Sequence, residues 1–326
     1  MTAAPVNLDA RCDVCTPLGF GSRQKPGEAA QWVESRREWL CEACELMYTI
    51  PEADGLYAGI HDSAYHGDRT SLSSSGARRL LPPSCPAIFA YERDNPPKPL
   101  PQFDVGKCAH KMILGVGEKI VRVDAENWTT KAARAKRDQA HADGHVPMLA
   151  AELDAAQRMA GAVHSHRLAG ALLRSGEPEM SGYWHDEQTG VRLRFRPDWL
   201  TDPRKGRIII VDVKTSVSAS PQDFSSSAAR YGYAIQAAWY LAAAKALEID
   251  EEPVFLFVVV DKTPPHMVSV IELDADAIAY GRRQMRRAIN TYAECETSGV
   301  WPGWGNDVHL VGLPRWIYNS EPGSAA

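Results

Sequence analysis

Long apolar segments are missing from this sequence. No run approaches the roughly 20 residues that a helix needs to span a bilayer. The first residues, MTAAPVNLDA, also lack the basic start and the apolar stretch of a secretory signal peptide. We therefore expect an intracellular, cytoplasmic protein that makes no contact with a membrane.

An excess of positive charge is missing as well. The 36 Lys and Arg residues are outnumbered by 41 Asp and Glu residues, which gives a formal net charge of -5. This balance argues against a protein that coats nucleic acid non-specifically. It does not exclude a nuclease, because metal-binding carboxylates lower the total while a local basic groove still binds phosphate. Basic stretches occur at 131–137, 192–196, 204–207 and 282–287, although each alone is more typical of a solvated face.

No internal repeat is visible along the 326 residues, and the composition is ordinary for a globular protein. The chain is 44% hydrophobic and 24% charged. Its length suits one large domain, or one domain with a small additional module.

Cysteines are few and unevenly placed. Four of the seven form two CxxC pairs, Cys12 with Cys15 and Cys41 with Cys44. In an intracellular chain two such pairs favour a tetrahedral structural zinc site over disulfides, although redox-active or coincidental cysteines are an alternative. We therefore predict a zinc-binding module with four cysteine ligands over residues 1–50. The remaining thiols, predicted to be buried and structural, are Cys85, Cys108 and Cys295.

After residue 50 the sequence predicts helices first, and then a mixture of strands and helices. Segments 73–81, 86–94 and 103–115 have the capping and apolar spacing of helices, and two Ala-rich helices are predicted between about 129 and 174. From about residue 179 onwards the pattern predicts a β-hairpin, a buried strand, two helices, two further strands and a long helix. This order indicates a mixed α/β core with a helical front end.

The buried strand RIIIVDVKT carries two charged side chains that a purely structural strand would avoid. Alternate residues of a strand share a face, so Asp212 and Lys214 project together while Val213 points away. Asp198 lies at the end of the preceding predicted strand, RLRFRPDW. If these strands are neighbours, the two aspartates converge within reach of a metal ion such as Mg²⁺. The backbone carbonyl of Val213 would be a further ligand.

These residues resemble the PD-(D/E)xK nuclease motif, here Pro197-Asp198 followed by Asp212-Val213-Lys214. Two further elements of that superfamily have counterparts in the helical segments. Gln236 and Tyr240 resemble the QxxxY element of RecB-family nucleases, and GKCAH, which ends in His110, is similar to the superfamily's GxxxH element. Glu179 occupies the place of the superfamily's earlier acidic ligand.

The order and spacing of these pieces resemble the RecE-type exonuclease domain, the exonuclease VIII family of phages and prophages. The resemblance covers roughly residues 55 to 300, and we assign 55–320 to this nuclease domain. It implies a PD-(D/E)xK restriction-endonuclease-like core with a mixed central sheet flanked by helices. It also implies a 5′→3′ exodeoxyribonuclease on double-stranded DNA ends, with one or two Mg²⁺ or Mn²⁺ ions. The implied partners are a RecT-like single-strand annealing protein and further copies of the chain in a ring.

Each site residue also has a structural interpretation. Asp198 could cap a turn, Lys214 could simply extend its amine to solvent, and His110 could be a core histidine. Glu179 has an alternative in the nearby Glu177. Gln236 and Tyr240 could fill a helix surface or the core. Asp212 inside an apolar strand has the poorest structural explanation, because burying a carboxylate is costly.

The serines before the first predicted helix suggest a second binding element. Ser73, Ser74 and Ser75 precede Arg78 and Arg79, and their simplest role is helix capping. We also predict that the three serines, with Arg78 or alternatively Arg79, bind the 5′ phosphate of a DNA end.

Three other functions remain open at this stage. The same active site serves RecB- or Cas4-like nucleases of other polarity, and endonucleases. The iron–sulfur cluster of Cas4-like proteins is not expected, because it requires three late cysteines and only Cys295 is late. A noncatalytic DNA-binding adaptor is the third alternative, and the intact set of Asp198, Asp212 and Lys214 argues against it.

Overall fold

The computed structural model describes residues 30–33, 38–40, 45, 47–96, 100–202 and 206–313. Of the helices in these ranges, none has both the length and the apolar character that a membrane crossing requires. Elements are numbered below in chain order within the described ranges.

Thirteen strands occur in these ranges, most of them short. They are β1 (Gln31–Val33), β2 (Glu38–Leu40), β3 (Gly55–Tyr57), β4 (Leu72–Ser73), β5 (Ile120–Arg122), β6 (Val146–Met148), β7 (Gly176–Pro178), β8 (Ser181–His185), β9 (Arg192–Phe195), β10 (Trp199–Thr201), β11 (Ile209–Ser216), β12 (Val254–Asp261) and β13 (Val268–Ile271).

Ten α-helices accompany them, and a short 3-10 turn (Pro101–Phe103) precedes the fourth. They are α1 (Asp62–Gly67), α2 (Ser74–Arg79), α3 (Pro86–Asp94), α4 (Asp104–Leu114), α5 (Lys131–Ala142), α6 (Ala150–Ser165), α7 (Arg167–Leu172), α8 (Pro221–Tyr231), α9 (Tyr233–Ala246) and α10 (Ala275–Ser298).

The central sheet is mixed and five-stranded, in the order β13-β12-β11-β10-β7. Its middle strands, β11 and β12, run parallel, and the other pairs are antiparallel. Both middle strands are rich in Val, Ile and Phe, which suits strands covered by helices on both faces. The predicted mixed α/β core is confirmed.

A second, four-stranded sheet has the order β3-β8-β9-β4. Its hairpin, β8 and β9, turns at Asp186, whose carboxylate accepts hydrogen bonds from the Thr189 amide and hydroxyl at 3.1 and 2.8 Å. Arg286 of α10 donates two more to it, at 2.7 and 2.8 Å. The predicted hairpin is therefore present, but it does not belong to the central sheet.

Each face of the central sheet has its own core. On one face, Ile210 of β11 and Phe257 of β12 pack with α9, α10 and α2. On the other, Val211 and Val213 pack with α4, α6 and α7. Because side chains alternate along a strand, one strand serves both cores.

Helix α9 connects the two sheets and is held closely by α10. Its Trp239 donates a hydrogen bond from the indole Nε1 to the Arg194 carbonyl of β9, at 2.9 Å. Gly281 of α10 lies so close to α9 that a Cβ there would be 2.0 Å from the Ala234 carbonyl oxygen. A side chain at position 281 would therefore separate the helices.

Several local predictions are confirmed and one needs correction. Helices occur at 74–79, 86–94 and 104–114, and the cysteines at 85, 108 and 295 are buried free thiols. The region 129–174, predicted as two helices, instead contains three, with strand β6 between the first two. The extra break lies at His166, whose extended backbone ends α6 and whose imidazole caps α7.

Candidate active site

Asp212 and Lys214 interrupt an apolar face of β11. Their neighbours on β12 in the parallel register, Phe257 and Val259, are fully buried. Asp212 is only 3% exposed. Its Oδ2 lies 2.6 Å from Lys214 Nζ, an ion pair that is not aligned as a hydrogen bond. Gln236 of α9 donates a hydrogen bond from Nε2 to the other oxygen, Oδ1, at 2.5 Å.

Asp198 reaches Asp212 through β10. In the antiparallel register Trp199 pairs with Val211, so Asp198 is placed beside the Asp212–Val213 segment. The Val213 amide donates a hydrogen bond to Asp198 Oδ2 at 2.6 Å. The two aspartates therefore converge, as predicted.

The strand that brings them together is different from the one predicted. Residues 192–199 were expected to form one strand beside β11, but β9 ends at Phe195 and pairs within the four-stranded sheet. The chain then crosses to the central sheet through Arg196, Pro197 and Asp198. Proline is poorly tolerated inside a paired strand, because it cannot donate the ladder hydrogen bond. This explains why the strand breaks there.

Glu179 and His110 lie next to Asp198 and complete the group of charged side chains. Glu179 lies between β7 and β8, and its amide donates to the Asp198 carbonyl at 3.2 Å. His110 of α4 has Nε2 3.0 Å from Asp198 Oδ2 and Nδ1 3.8 Å from Glu179 Oε1. Glu177, the alternative acidic residue, is exposed on β7. The backbone of Glu179 is left-handed, with φ of 49°, a conformation that costs energy for a non-glycine residue.

The pKa values of the three carboxylates differ, because the effect of burial is combined with different neighbouring charges at each of them. Burial raises the pKa of Asp212 to about 6; Lys214 opposes this rise, and Asp198 adds to it. Burial also favours a raised pKa for Asp198, but His110, Lys214 and the Val213 amide together hold it below its usual value. Burial, then the repulsion of Asp62, raise the pKa of Glu179.

The two cationic groups are held in their charged forms. Burial disfavours the charged imidazole of His110, but Asp198, followed by Glu179 and Asp212, raises its pKa to about 9. Burial likewise disfavours charged Lys214, and Asp212 and Asp198 outweigh it, so that its pKa is raised. The site therefore balances buried carboxylates with an imidazolium and an ammonium.

Gln236 and Tyr240 share one face of α9, as their spacing predicts. Gln236 contacts Asp212, whereas the Tyr240 hydroxyl donates to the Arg196 carbonyl at 2.9 Å. Tyr240 thus holds the backbone two residues before Asp198. The Lys214 ammonium is supported from another side by Tyr233, whose ring centroid lies 4.8 Å away.

Asp62 and Arg196 belong to the site but were missed by the sequence analysis. Arg196 donates to Asp62 Oδ1 at 2.5 Å, to the Ser181 hydroxyl at 2.9 Å and to the Ile60 carbonyl at 2.8 Å. The alternating arginines of RLRFR were a signal of a polar strand face, but nothing in the sequence indicated Asp62, which lies 134 residues away.

Apart from Asp212, which is buried against Lys214 and Gln236, these groups line a cavity of about 500 Å³. The three serines and Arg78 predicted to bind a phosphate lie on its wall. The Ser73 hydroxyl caps α2 and contacts Ser75, while Arg78 donates to the Tyr231 carbonyl at 2.8 Å. Arg78 has no carboxylate partner among the described residues. The remaining polar lining residues include His66, Arg194, Tyr231 and Tyr233.

The oxygen atoms that the site offers are of the kind that a hard divalent cation prefers as ligands. Such ions prefer carboxylate oxygens, which Glu179, Asp198 and Asp212 supply. Asp212 Oδ2 is buried and has no aligned hydrogen bond. Across the described residues, however, no three His, Cys, Asp or Glu side chains already surround one metal position. His110 and Lys214 balance the carboxylates instead.

The second predicted metal site involves Cys12, Cys15, Cys41 and Cys44. All four lie outside the described residues, so the zinc-binding module stays a prediction. Of residues 1–50, the described part includes β1 and β2, which pair in antiparallel fashion.

Comparison with known proteins identifies the family of this chain. Residues 74–311 match the family described as a PDDEXK-like domain of unknown function (DUF3799). The chain therefore belongs to this family, which places it among the PD-(D/E)xK nuclease-like proteins. None of the curated proteins matches the sequence.

Solved structures add a likeness of fold. A crystal structure named "Putative exonuclease", from Eubacterium rectale, matches with a TM-score of 0.50 and 13% identity, covering 80% of this chain and 96% of that one. At this identity the match concerns the fold alone. A structure of SSO0001 matches with 15% identity, covering 58% of this chain and 84% of that one, but its TM-score of 0.26 is too low to bear on the fold.

Proposed function

We propose that this protein is a metal-dependent 5′→3′ exodeoxyribonuclease that acts on the ends of linear double-stranded DNA. One observation carries the proposal: acidic, cationic and amide side chains from five separate parts of a PDDEXK-like chain come together at one cavity, which all of them line except Asp212, buried against Lys214 and Gln236. They come from α4, the β7–β8 connection, the segment before β10, β11 and α9. They are His110, Glu179, Asp198, Asp212, Lys214 and Gln236.

The carboxylates of Asp198 and Asp212, with Glu179, would hold one or two Mg²⁺ or Mn²⁺ ions. When bound, such ions polarise a phosphodiester and stabilise its leaving oxygen. As an imidazolium His110 would orient Asp198, from which its Nε2 is 3.0 Å distant, and it would become a further ligand only on losing its proton when a metal ion binds. The Val213 carbonyl, expected as a ligand because Val213 lies between Asp212 and Lys214 on the strand, belongs to the same proposal.

The neighbouring side chains would orient the reacting groups. Lys214 places a positive charge at the cavity wall, where it would orient the attacking water and offset charge in the transition state. Gln236 fixes Asp212 through its hydrogen bond, and Tyr240 fixes the backbone that leads to Asp198. These two would be positioning residues.

The DNA end would be recognised by Ser73, Ser74, Ser75 and Arg78. Their location in the cavity that also contains Asp198 supports this role. A charged hydrogen bond from Arg78 to a terminal phosphate would contribute most of the discrimination. Replacing Ser74 and Arg78 by Ala should lower the preference for 5′-phosphorylated over 5′-hydroxyl ends about tenfold or more. An unchanged preference would remove this part of the proposal.

The recombination role rests on the sequence resemblance. It includes a RecT-like single-strand annealing partner and a ring-shaped homo-oligomer, in which enclosure of DNA would compensate for the net charge of -5. Light scattering of the purified protein tests the ring, and a single-copy mass would count against it.

A strand-specific assay tests the central proposal. Linear duplex DNA, labelled separately at its 5′ and 3′ ends, is incubated with Mg²⁺ and the protein, beside the Asp212→Asn variant and a covalently closed circle. Early release of the 5′ label from linear DNA, lost in the variant, is the expected result.

The other outcomes each point to a different function. Early release of the 3′ label would indicate a RecB- or Cas4-like nuclease of other polarity, and cutting of the circle would indicate an endonuclease. DNA binding without any cleavage would favour an adaptor.

A further inference from the structure

A second cavity, of about 740 Å³, lies beside the first. It is formed by α2, α8 and α10 with the residues that follow β13. Arg78 and Gly232 line both cavities, so they form a shared boundary. At Gly232 a Cβ would lie 2.8 Å from Arg78 Cδ, which shows how closely this boundary is packed.

Flat and apolar side chains dominate part of this second cavity. Phe224, Pro83, Ile271 and Leu273 contribute to its lining, and Phe224 is only 2% exposed. Tyr280 of α10 also lines the cavity, yet it is 50% exposed. An aromatic ring that is half exposed and lines the same cavity as apolar side chains offers a surface on which a flat ligand can stack.

The charges of the cavity come from separate elements. Arg78 and Arg79 belong to α2 and Arg230 to α8, whereas Glu272 and Asp274 lie between β13 and α10. Arg79 is paired with Glu92 at 3.2 Å, but for Arg78 and Arg230 no carboxylate partner occurs in the described residues. An anionic ligand would therefore turn its phosphates towards α2 and α8.

We propose that this cavity binds unpaired DNA of the strand complementary to the one whose 5′ end lies in the catalytic cavity, with Arg78 at the boundary between the two strands. Bases would pack against Tyr280 and the apolar lining residues, and phosphates would lie near Arg230. Duplex DNA is a poor ligand here, because its bases are stacked on one another and offer no free face. The inference rests on the proposed nuclease function for its substrate class, and it assigns a place to the strand that the reaction leaves unpaired.

Fluorescence anisotropy tests the inference without any catalysis. A labelled single-stranded dT oligonucleotide of about 12 residues is titrated with the full-length protein in EDTA, and a labelled blunt hairpin duplex serves as the comparison ligand. Stacking of a base on an aromatic side chain changes affinity by about tenfold or more. Tyr280→Ala should therefore weaken binding of the single strand about tenfold and leave binding of the duplex nearly unchanged.

Two further variants sharpen the test. Ala277→Trp places a large side chain into the same cavity and should weaken single-strand binding to a similar degree. Tyr91→Ala removes a tyrosine that is 68% exposed on α3 and lines neither cavity, and it should bind like the wild type.

The outcomes separate this inference from the proposed function. Wild-type affinity in both Tyr280→Ala and Ala277→Trp, in a protein that cleaves linear DNA, would overturn the inference alone. An equal loss in Tyr91→Ala would also overturn it. Tyr280-dependent binding in a protein that cleaves no DNA would support the cavity as a single-strand site and refute the nuclease proposal.

Discussion

Two buried aspartates in different sheets have opposite surroundings. Asp186, in the turn of the four-stranded sheet, is 7% exposed, and Asp212, in the central sheet, is 3% exposed. Hydrogen bonds from Arg286 hold the pKa of Asp186 below its usual value, against the effect of burial. Burial instead raises the pKa of Asp212 to about 6, although Lys214 lies beside it.

The difference separates a structural carboxylate from a candidate functional one. Around Asp186, four hydrogen bonds from two residues stabilise the negative charge and close a turn. Around Asp212 one oxygen accepts a hydrogen bond from Gln236 and the other faces the Lys214 ammonium at 2.6 Å, and these contacts do not offset the effect of burial on its pKa. Perturbed carboxylates in a cavity are typical of functional sites. The comparison predicts that one residue supports folding and the other supports chemistry.

The largest effect is expected for Asp212→Asn. The rate of linear duplex cleavage should fall about 10³-fold or more, because the amide neither carries the charge nor replaces the carboxylate as a ligand. The midpoint of thermal unfolding should stay equal or rise, since a poorly compensated buried charge is removed. A clear fall in that midpoint would mean that Asp212 is structural, like Asp186.

Asp186→Asn should do the reverse. We expect the free energy of unfolding to fall by about 3 kcal/mol, because Arg286 loses its buried partner. Denaturant unfolding measures this loss, and the added substitution Arg286→Met should recover much of it. Cleavage per folded molecule should not change, because the Asp186 carboxylate contacts Thr189 and Arg286 and none of the proposed site residues. A large loss of cleavage in folded protein would break the comparison.

The pH dependence of stability should also have opposite signs at the two residues. In metal-free protein, the Asp212 carboxyl has a raised pKa in the folded state. Between about pH 4 and 6 it is therefore still protonated in the folded state but already ionised in the unfolded state. The free energy of unfolding therefore falls by about 2 kcal/mol across this window as pH rises. Asp186, with its lowered pKa, contributes stability above about pH 4 and loses it as pH falls further.

Denaturant titrations of both Asn variants across this range provide the check. The advantage of Asp212→Asn over the wild type should grow from pH 4 to 6 and then level off. The deficit of Asp186→Asn should shrink only below pH 4. Parallel curves for the two variants would contradict the assignment.

The smallest effect is expected for Gln236→Leu. The substitution removes one hydrogen bond to Asp212 and keeps a side chain of similar size, so cleavage should slow about tenfold. Tyr91→Ala, on exposed surface, serves as the unaffected control. A loss as large as that of Asp212→Asn would make Gln236 more than a positioning residue.

The sequence predicted the parts of the site that depend on local periodicity. Asp212 and Lys214 share a face because strands alternate, and Gln236 and Tyr240 share one because helices repeat every 3.6 residues. The position of His110 on α4 and the mixed α/β order of elements could be predicted from the sequence in the same way. These features need no knowledge of distant contacts.

The parts that were missed depend on distant contacts or on a single break in a pattern. Residues 192–199 alternate like a single strand, yet the chain passes from the four-stranded sheet to the central sheet at Pro197. The pattern did not reveal this, because the second strand, β10, has only three residues. Asp62 was missed because its partner, Arg196, is brought to it by the four-stranded sheet. The closeness of α9 and α10 at Gly281 could not be predicted either, since it depends on how the Ala234 backbone and the Ala238 side chain pack against that glycine.

The scattered origin of the proposed site has a consequence during synthesis. Its side chains are spread from position 110 to position 236, and Asp212 obtains its hydrogen bond only when α9 packs on the sheet. Helix α9 in turn packs against α10, which ends at Ser298. A nascent chain therefore has every carboxylate long before it has an assembled site. Under the proposed function, DNA cleavage would begin only after α10 has been synthesised and packed, so incomplete chains would not cut DNA.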